Sequence, residues 1–396
     1  MRILMIAPEP FLEPRGTPFS VYHRIKALTS LGYEVDLVTY PIGEGVSLSG
    51  LRVFRAPALP FIQKVKIGPS LAKLPLDLLV FFTAWKRMSQ ERYQYVHTHE
   101  EAGLMGALLT RIFRCKHLYD MHSDLSQQMS NFAFTKNPLL IRTMEAVQKF
   151  IIQQADTVIA ICRDLEQTVR RLAPDKPVYL IENVAVDEAL PPASKQEVMQ
   201  LREQLALSNN RVLLYTGTFE SYQGIELLLK SVALVHAECL DARYVLVGGR
   251  PDQVAKQEQL ARELGISEQV RFVGQRPLDE MPAYMALADI LVSPRSEGTN
   301  TPLKLYTYLR SGKPVLATKI FSHTQMLTDD TAMLVSPTPE DLARGALELL
   351  SYPWQAELLA RNAREMAAER YSWKAFLKKN EHAYNTFTGL ENELSA

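Results

Sequence analysis

The chain has 396 residues, of which 47% are hydrophobic and 22% are charged, as in an ordinary globular protein. Its 44 basic and 44 acidic residues cancel, which argues against a nucleic-acid-binding protein, because such proteins usually carry a basic excess. The three cysteines are widely spaced and show no zinc or disulfide pattern, so a reducing, cytoplasmic compartment is expected. The amino-terminal apolar run ends at Pro8 and Pro10, which favours a buried strand over a signal or membrane segment.

In the first half of the chain, short apolar runs alternate with helical patterns. The predicted strands are 2–8, 34–40, 95–99, 117–122, 157–161 and 178–183. The predicted helices are 18–31, 101–113, 138–154 and 163–172. Most of these strands are apolar on both faces, which is typical of a parallel sheet covered by helices. The alternation therefore predicts a doubly wound α/β domain.

Residues 50–92 interrupt this alternation with a basic, apolar stretch. The segment holds eight lysines and arginines against two acidic residues, Asp77 and Glu91. Such a stretch can lie on an anionic membrane surface, which would place the protein on the inner face of the membrane. The alternative, which we favour, is a helix packed on the first sheet with a basic edge in solvent.

A polar, proline-rich stretch at 186–197 predicts a linker, after which the alternation starts again. The predicted strands are 212–217, 244–249, 270–274, 289–294, 314–318 and 332–337. The predicted helices are 224–237, 253–264, 279–287, 302–311, 339–350 and 355–369. Two Rossmann-like domains that face a cleft are therefore expected. Ligands of such sheets bind beyond the carboxyl ends of the strands.

The loop after strand 289–294 has the features of an anion site. Thr301 is a suitable N-cap and Pro302 suits the first helical position, so a helix is expected to open there. Free amides at a helix start bind anions, and Lys304 adds a positive charge in the first turn. With Glu297 beside it to accept hydrogen bonds from sugar hydroxyls, the loop suits a sugar diphosphate.

The chain resembles the retaining glycosyltransferases of the GT-B fold, family four, over nearly its whole length. In the second half the matching motifs are "LGISEQVRFVGQ", "MPAYMALADILVSP", "SEG" and "GKPV". In the first half they are "EPRGTPFS", "DMHSD" and "ADTVIAIC", and "RYSWKAFLKKNEHAY" resembles the last family helix. The resemblance implies an acceptor domain at 1–186, a nucleotide-sugar domain at 187–371, and a helix at 372–396 that crosses back to the first domain.

The resemblance also implies residue roles. Glu297 would contact hydroxyls of the transferred sugar, and His122 would lie over the reacting carbon. The loop that contains Arg15, Gly16 and Thr17 would approach the phosphates or the acceptor. The residues that would bind the donor are Gly217, Thr218, Gln223, Arg276, Arg295, Gly298, Thr299, Asn300, Thr301, Lys304 and Thr307.

Two departures from the family pattern affect donor binding. Thr307 stands where a second glutamate usually holds the ribose hydroxyls, at a cost of about 1–3 kcal/mol in nucleotide affinity. The usual phosphate cations are also missing, because the corresponding stretch holds Thr218 and Gln223. The candidate replacements are Arg15, Arg276, Arg295 and Lys304.

Histidines in the first half have alternative interpretations. His122 can instead be a loop histidine bonded to Asp120 or Asp124. His97 and His99 alternate along a strand and are predicted to face opposite ways, so they are not expected to form a metal pair. No metal or other cofactor is expected, because no D-x-D cluster is suitably placed and the nucleotide sugar is a co-substrate.

Three functions other than sugar transfer use or could use this architecture. No G-x-G-x-x-G motif follows the first strand, which argues against an NAD-dependent dehydrogenase. A non-catalytic protein that binds a sugar nucleotide or a partner subunit, and a sugar-nucleotide epimerase, remain open. The acceptor considered is a cell-surface polysaccharide or a lipid-linked intermediate, although acceptor clefts vary between proteins of one fold.

Overall fold

The computed structural model describes residues 1–13, 16–60, 62, 65, 73–125, 137–185 and 190–389. The chain divides into two compact units. Unit 1 contains Met1–Asn183 and Trp373–Ala396, and unit 2 contains Val184–Ser372. Across the described part of the chain, no helix combines the length and the apolar character that a membrane crossing requires.

Unit 1 is built on a seven-stranded parallel sheet in the order β3-β2-β1-β4-β5-β6-β7. Its strands are β1 Arg2–Ala7, β2 Glu34–Thr39, β3 Leu51–Arg55, β4 Tyr95–His99, β5 Lys116–Met121, β6 Thr157–Ala160 and β7 Val178–Leu180. The helices before the linker are α1 Gly16–Ser30, α2 Lys73–Gln90, α3 Ala102–Phe113, α4 Pro138–Gln154 and α5 Arg163–Leu172. The central strands are buried almost completely, as their apolar sequences predict.

The strand β3 and the helix α2 lie within the segment 50–92. Sequence analysis did not predict β3, because this edge strand is only partly buried and has no continuous apolar run. Its Arg52 pairs with Asp36 of β2, with 2.7 Å from Nε to Oδ1. One face of α2 packs on the sheet through Leu76, Val80 and Ala84, which confirms the helix that we favoured for this segment.

Unit 2 is built on a six-stranded parallel sheet in the order β10-β9-β8-β11-β12-β13. Its strands are β8 Arg211–Thr216, β9 Ala242–Val247, β10 Val270–Gly274, β11 Ile290–Ser293, β12 Val315–Thr318 and β13 Met333–Val335. Its helices are α6 Lys195–Gln204, α7 Ile225–Glu238, α8 Pro251–Glu263, α9 Met281–Leu287, α10 Lys304–Arg310, α11 Phe321–Thr324, α12 Pro339–Ser351 and α13 Pro353–Arg370.

The predicted linker was too long at its carboxyl end. Helix α6 begins inside it, because Ser194 and Glu197 form a capping box. The Glu197 amide donates to the Ser194 hydroxyl at 3.2 Å, and the Ser194 amide donates to the Glu197 carboxylate at 2.6 Å. This reciprocal pair satisfies two amides at the helix start and fixes it there.

The last helix, α14 (Trp373–Thr388), is part of unit 1. Its buried face includes Phe376, Asn380 and Tyr384, of which Asn380 and Tyr384 are fully buried. Asn380 accepts a hydrogen bond from Arg24 of α1 at 2.6 Å. The chain therefore returns to complete the core of the amino-terminal unit.

The strand orders locate the functional edges of both sheets. The order reverses direction between β1 and β4 in unit 1 and between β8 and β11 in unit 2. Connections from these neighbouring strands leave in opposite directions, which opens a crevice at their carboxyl ends. Candidate site residues are therefore those that follow β1, β4, β8 and β11.

Candidate functional site

In unit 2, Lys304 lies beside the carboxyl end of β8, one of the two strands at the reversal. Its ammonium is 3.3 Å from the side-chain oxygen of Gln223 and 3.8 Å from the centre of the Tyr215 ring. Burial lowers the pKa of Lys304 well below its usual value, and Arg295 lowers it further. An ammonium with a depressed pKa gains most from an added anion, because the anion stabilises its charged form.

Arg295 organises the loop that carries Glu297. Its guanidinium donates to the carbonyl oxygens of Glu297 and Asn300, each at 2.8 Å, and lies 5.0 Å from the centre of the Tyr222 ring. Gly298 has φ 110°, and an added Cβ there would lie 2.5 Å from the Arg295 guanidinium. The loop conformation thus requires glycine at this position.

The loops after β8 and β11 pack closely against each other. Gly224 has φ 74°, and an added Cβ would lie 1.9 Å from the carbonyl oxygen of Pro294. The Ser296 amide also donates to the Tyr222 carbonyl at 3.0 Å. This contact holds Gln223 near Lys304 and brings Tyr215, Tyr222, Gln223, Arg295 and Lys304 into one group, which we call the Lys304 cluster.

The predicted helix start at Thr301 and Pro302 was wrong. Helix α10 begins at Lys304, its N-cap position is Leu303, and no side chain caps it. A preceding turn explains the shift, because the Leu305 amide donates to the Pro302 carbonyl at 3.0 Å. An anion at this loop would therefore meet cationic side chains rather than a capped helix start.

The other predicted donor residues lie at different distances from the Lys304 cluster. Gly217 is adjacent, since an added Cβ would lie 3.0 Å from the Lys304 ammonium nitrogen. The Thr218 carbonyl accepts a hydrogen bond from the Tyr215 hydroxyl at 2.6 Å. Thr307 is buried in α10 and Glu297 is exposed. Arg276 follows β10 at the sheet edge and is not part of the cluster.

Sequence analysis missed the two tyrosines of the Lys304 cluster. Tyr215 is fully buried within strand β8, and its sequence context is that of a core residue. Tyr222 lies in a short 3-10 turn, Ser221–Gln223. Neither position carries a local signal that an aromatic ring would face a cation there.

In unit 1, His122 follows β5 and belongs to a buried network. Its Nε2 is 3.2 Å from Asp120 Oδ1 and 3.1 Å from His99 Nδ1. Asp120 also pairs with Arg24, with 2.9 Å from Nε to Oδ2, and with His97 at 3.3 Å. We call these five residues the Asp120 network, and all are at most 4% exposed.

Charges in the Asp120 network determine its protonation. Burial by itself raises the pKa of Asp120, but Arg24 and His122 outweigh it and hold this pKa well below its usual value. Burial lowers the pKa of His97, against the opposing effect of Asp120. Burial and His97 together lower the pKa of His99 well below its usual value. A carboxylate paired with a guanidinium therefore faces two imidazoles that favour the neutral form.

The prediction that His97 and His99 face opposite ways was wrong. Their rings stack with centres 4.4 Å apart, because residues two apart on a strand point to the same face. With Asp120 they form a group whose ligand atoms all lie within 4.8 Å, close enough to hold a metal ion. The Arg24 guanidinium already pairs with this carboxylate, and a divalent cation would have to compete with it.

Glu100, directly after β4, has a strained backbone and a perturbed carboxyl group. Its φ is 51°, in the left-handed region that non-glycine residues rarely adopt. Burial raises its pKa to about 7, while His122 opposes the shift. The Ser123 hydroxyl donates to this carboxylate at 2.5 Å. The strand ends of unit 1 thus present an acid and an imidazole side by side.

The predicted glycine loop lies at the start of α1. Gly16 and Thr17 are the first two residues of that helix, and Gly16 is exposed. The Gly16 carbonyl accepts a hydrogen bond from the Ser20 hydroxyl at 3.2 Å. Arg15 lies outside the described residues.

Two family descriptions match most of the chain. Residues 15–183 match "Glycosyl transferase 4-like domain" and residues 210–352 match "Glycosyl transferases group 1". Curated relatives match end to end. The D-inositol 3-phosphate glycosyltransferase of Corynebacterium urealyticum is 26% identical, over 99% of this chain and 97% of that protein. The alpha-D-kanosaminyltransferase of Streptomyces kanamyceticus is 24% identical, over 95% of this chain and 96% of that protein.

Solved structures share the whole architecture. Sucrose-phosphate synthase from Thermosynechococcus elongatus superposes with a TM-score of 0.79 at 21% identity, covering 98% of this chain and 99% of that one. HepE from Anabaena, solved in complex with UDP-glucose, gives a TM-score of 0.73 at 18% identity, covering 98% and 100%. These similarities show that the chain has the GT-B fold, which is built from two Rossmann-like domains.

Proposed function

The chain belongs to the glycosyl transferases group 1 family of GT-B glycosyltransferases, and on that premise we propose that it transfers a sugar from a nucleotide donor with retention of configuration. The Lys304 cluster is the observation that supports a donor-binding site in unit 2. Its ammonium and guanidinium lie at the carboxyl ends of β8 and β11, where ligands of such sheets bind. Two cations at this position suit the diphosphate of a nucleotide sugar.

The proposed chemistry depends on stabilising the leaving group. The bond between the anomeric carbon and the diphosphate oxygen breaks, and its electron pair leaves with the diphosphate. The acceptor hydroxyl forms a new bond to that carbon on the same face, and its proton passes to a leaving phosphate oxygen. Lys304 stabilises the growing negative charge in the transition state, which lowers the barrier most effectively.

Other residues have positioning roles in this proposal. Exposed Glu297 binds hydroxyls of the transferred sugar, and Gly298 to Thr301 line the diphosphate. Arg295 maintains the shape of that loop through its two carbonyl contacts. His122, whose ring Asp120 holds, is the candidate catalytic residue of unit 1. The protein cations take the place of a metal ion, so activity is expected to persist in EDTA.

The acceptor and the cellular location are also part of the proposal. We propose a glycan or lipid-linked acceptor bound by unit 1, and a cytoplasmic enzyme with peripheral membrane contact through residues 50–92. The basic character of that segment supports the membrane contact. The names of the relatives indicate different substrates. The transferred sugar and the nucleotide base of the donor are therefore to be identified by experiment.

Incubation with a panel of UDP-, GDP- and dTDP-sugars tests the proposed reaction. Slow hydrolysis of one donor, with release of the nucleoside diphosphate, is expected even without an acceptor. Binding of a donor without any turnover would instead indicate a non-catalytic protein. Recovery of an altered sugar that is still attached to its nucleotide would indicate an epimerase. Nuclear magnetic resonance of the first transfer product reports whether configuration is retained.

Replacing Lys304 with methionine tests the diphosphate site. We expect the dissociation constant of the nucleoside diphosphate to rise by about 10- to 100-fold, because a charge-assisted hydrogen bond is lost. Isothermal titration calorimetry measures the change. The matched control is Lys256→Met on α8. The Lys256 ammonium pairs with exposed Glu226, so this variant should leave binding unchanged. Equal affinity of wild type and Lys304→Met would place the diphosphate elsewhere.

Replacing Thr307 with glutamate tests the ribose contact. A carboxylate there can bind both ribose hydroxyls, so affinity for the nucleotide should increase by about tenfold. The same variant should gain less for the 2′-deoxy nucleotide, which keeps only one of the two hydroxyls. Calorimetry with both ligands separates this effect from a general change in the pocket. An identical gain for the two ligands would place Thr307 away from the ribose.

A further inference from the structure

Helix α2 exposes a row of large apolar side chains. Leu74, Leu78, Phe82 and Trp85 are 62%, 57%, 57% and 38% exposed. Their spacing of three or four residues places them along one face. The opposite face of α2 is also apolar, and it packs on the sheet of unit 1. A helix that is apolar on both faces normally has a partner for each of them.

Helix α3 extends this apolar row. Its Leu104, Leu108 and Ile112 are 39%, 44% and 54% exposed, again with a spacing of four residues. The two rows are joined where the Trp85 ring lies against the Phe113 ring, with centres 5.5 Å apart. We call the seven exposed side chains of α2 and α3 the apolar patch. Contiguous exposed patches of this kind mark interaction surfaces.

The charges around the apolar patch are mainly positive, because Glu91 and Glu101, at the ends of α2 and α3, each pair with a cation of α2. The exposed cations on these helices and directly after them are Lys86, Arg92, Arg111, Arg114 and Lys116. The only acidic residue in either helix is Asp77, which is partly buried and accepts a hydrogen bond from Tyr40. The surface therefore combines an apolar centre with a basic margin and has no exposed carboxylate within the helices.

We propose that the apolar patch docks on an anionic lipid bilayer. The apolar side chains would enter the boundary between headgroups and acyl chains, and the cations would contact lipid phosphates. A second copy of this chain fits less well, because its patch would bring a like-charged basic margin. The inference deepens the membrane contact proposed for residues 50–92: it assigns the contact to α2, adds α3, and leaves out the sheet strand β3. It does not depend on sugar transfer.

Vesicle sedimentation tests this docking without any donor or acceptor. The wild-type chain should sediment with vesicles of mixed phosphatidylcholine and phosphatidylglycerol and remain in solution with phosphatidylcholine alone. The double variant Phe82→Ser/Leu108→Ser should lose more than about tenfold in partitioning, because two apolar anchors are removed. Arg111→Gln/Arg114→Gln should weaken binding and reduce its sensitivity to salt. Trp354→Ser changes an aromatic residue of unit 2 that is 67% exposed, more than Phe82, and this variant should bind as wild type does.

Two results would overturn the inference. One is equal sedimentation of wild type and the Phe82→Ser/Leu108→Ser variant, and the other is no wild-type binding to anionic vesicles. A concentration-dependent dimer that this variant abolishes, without vesicle binding, would assign the patch to a second copy. Donor hydrolysis is measured on the same samples. Retained hydrolysis with lost vesicle binding shows a folded variant, and absent hydrolysis in wild type tells against sugar transfer but not against docking.

Discussion

Replacing Arg24 with methionine is expected to lower the free energy of unfolding by about 3–5 kcal/mol, because it leaves the Asp120 carboxylate buried without its main positive partner. The two side chains are 2% and 0% exposed, and their atoms are 2.9 Å apart. Urea unfolding followed by tryptophan fluorescence measures the loss, since Trp85 and Trp373 report on unit 1. A second replacement, Asp120→Leu, should recover part of the stability by removing the unpaired charge.

The matched control for this prediction is Arg170→Met. Arg170 pairs with Glu166 on the same helix at 2.7 Å, but its side chain is 57% exposed. Exposed pairs contribute about 0–1 kcal/mol, so a small change is expected. Equal losses in Arg24→Met and Arg170→Met would show that the buried pair does not stabilise the fold.

The effect of Arg24→Met should also depend on pH. In the wild type the pKa of Asp120 is depressed, so its contribution to stability is present above the unfolded value of about 3.9. That contribution is lost as the pH falls through the folded pKa. The difference between wild type and Arg24→Met should therefore be largest at neutral pH and shrink in acid. A difference that is constant with pH would indicate lost packing rather than lost charge.

Replacing Glu297 with alanine should lower kcat for donor turnover by on the order of 100-fold, because a hydrogen bond to the reacting sugar is lost in the transition state. The carboxylate is exposed, so the free energy of unfolding should change little. Initial rates of nucleoside diphosphate release, with the donor found in the panel, measure the effect. The nucleoside diphosphate itself should bind the variant as tightly as wild type.

The control for Glu297→Ala is Glu258→Ala, an exposed glutamate of the same unit on α8. It should leave both turnover and stability unchanged. Wild-type turnover in Glu297→Ala would remove this carboxylate from the proposed site. A loss of diphosphate binding together with turnover would instead show that the loop held by Arg295 had rearranged.

Much of the architecture follows from local sequence patterns. Of the thirteen strands in the described residues, twelve were predicted, since buried parallel strands carry continuous apolar runs. The edge strand β3 was missed because its residues are partly exposed and mixed in character. The start of α10 was misplaced because Thr301 and Pro302 are good start signals locally, whereas the turn at Pro302 delays the helix to Lys304.

The sequence by itself determined two parallel α/β units, the segment that holds Glu297 and Lys304, and the resemblance that led to sugar transfer. Only the tertiary structure decided which side chains meet. Arg24 and Asp120 are 96 residues apart, and Arg24 and Asn380 are 356 apart, yet all three share one buried network. Tyr215 of β8 likewise faces Lys304, which begins α10. Such contacts arise from the strand order and from the return of α14 to unit 1. No short stretch of sequence encodes either of them. Local periodicity specifies the face on which a residue lies, but it does not specify the neighbour that covers that face.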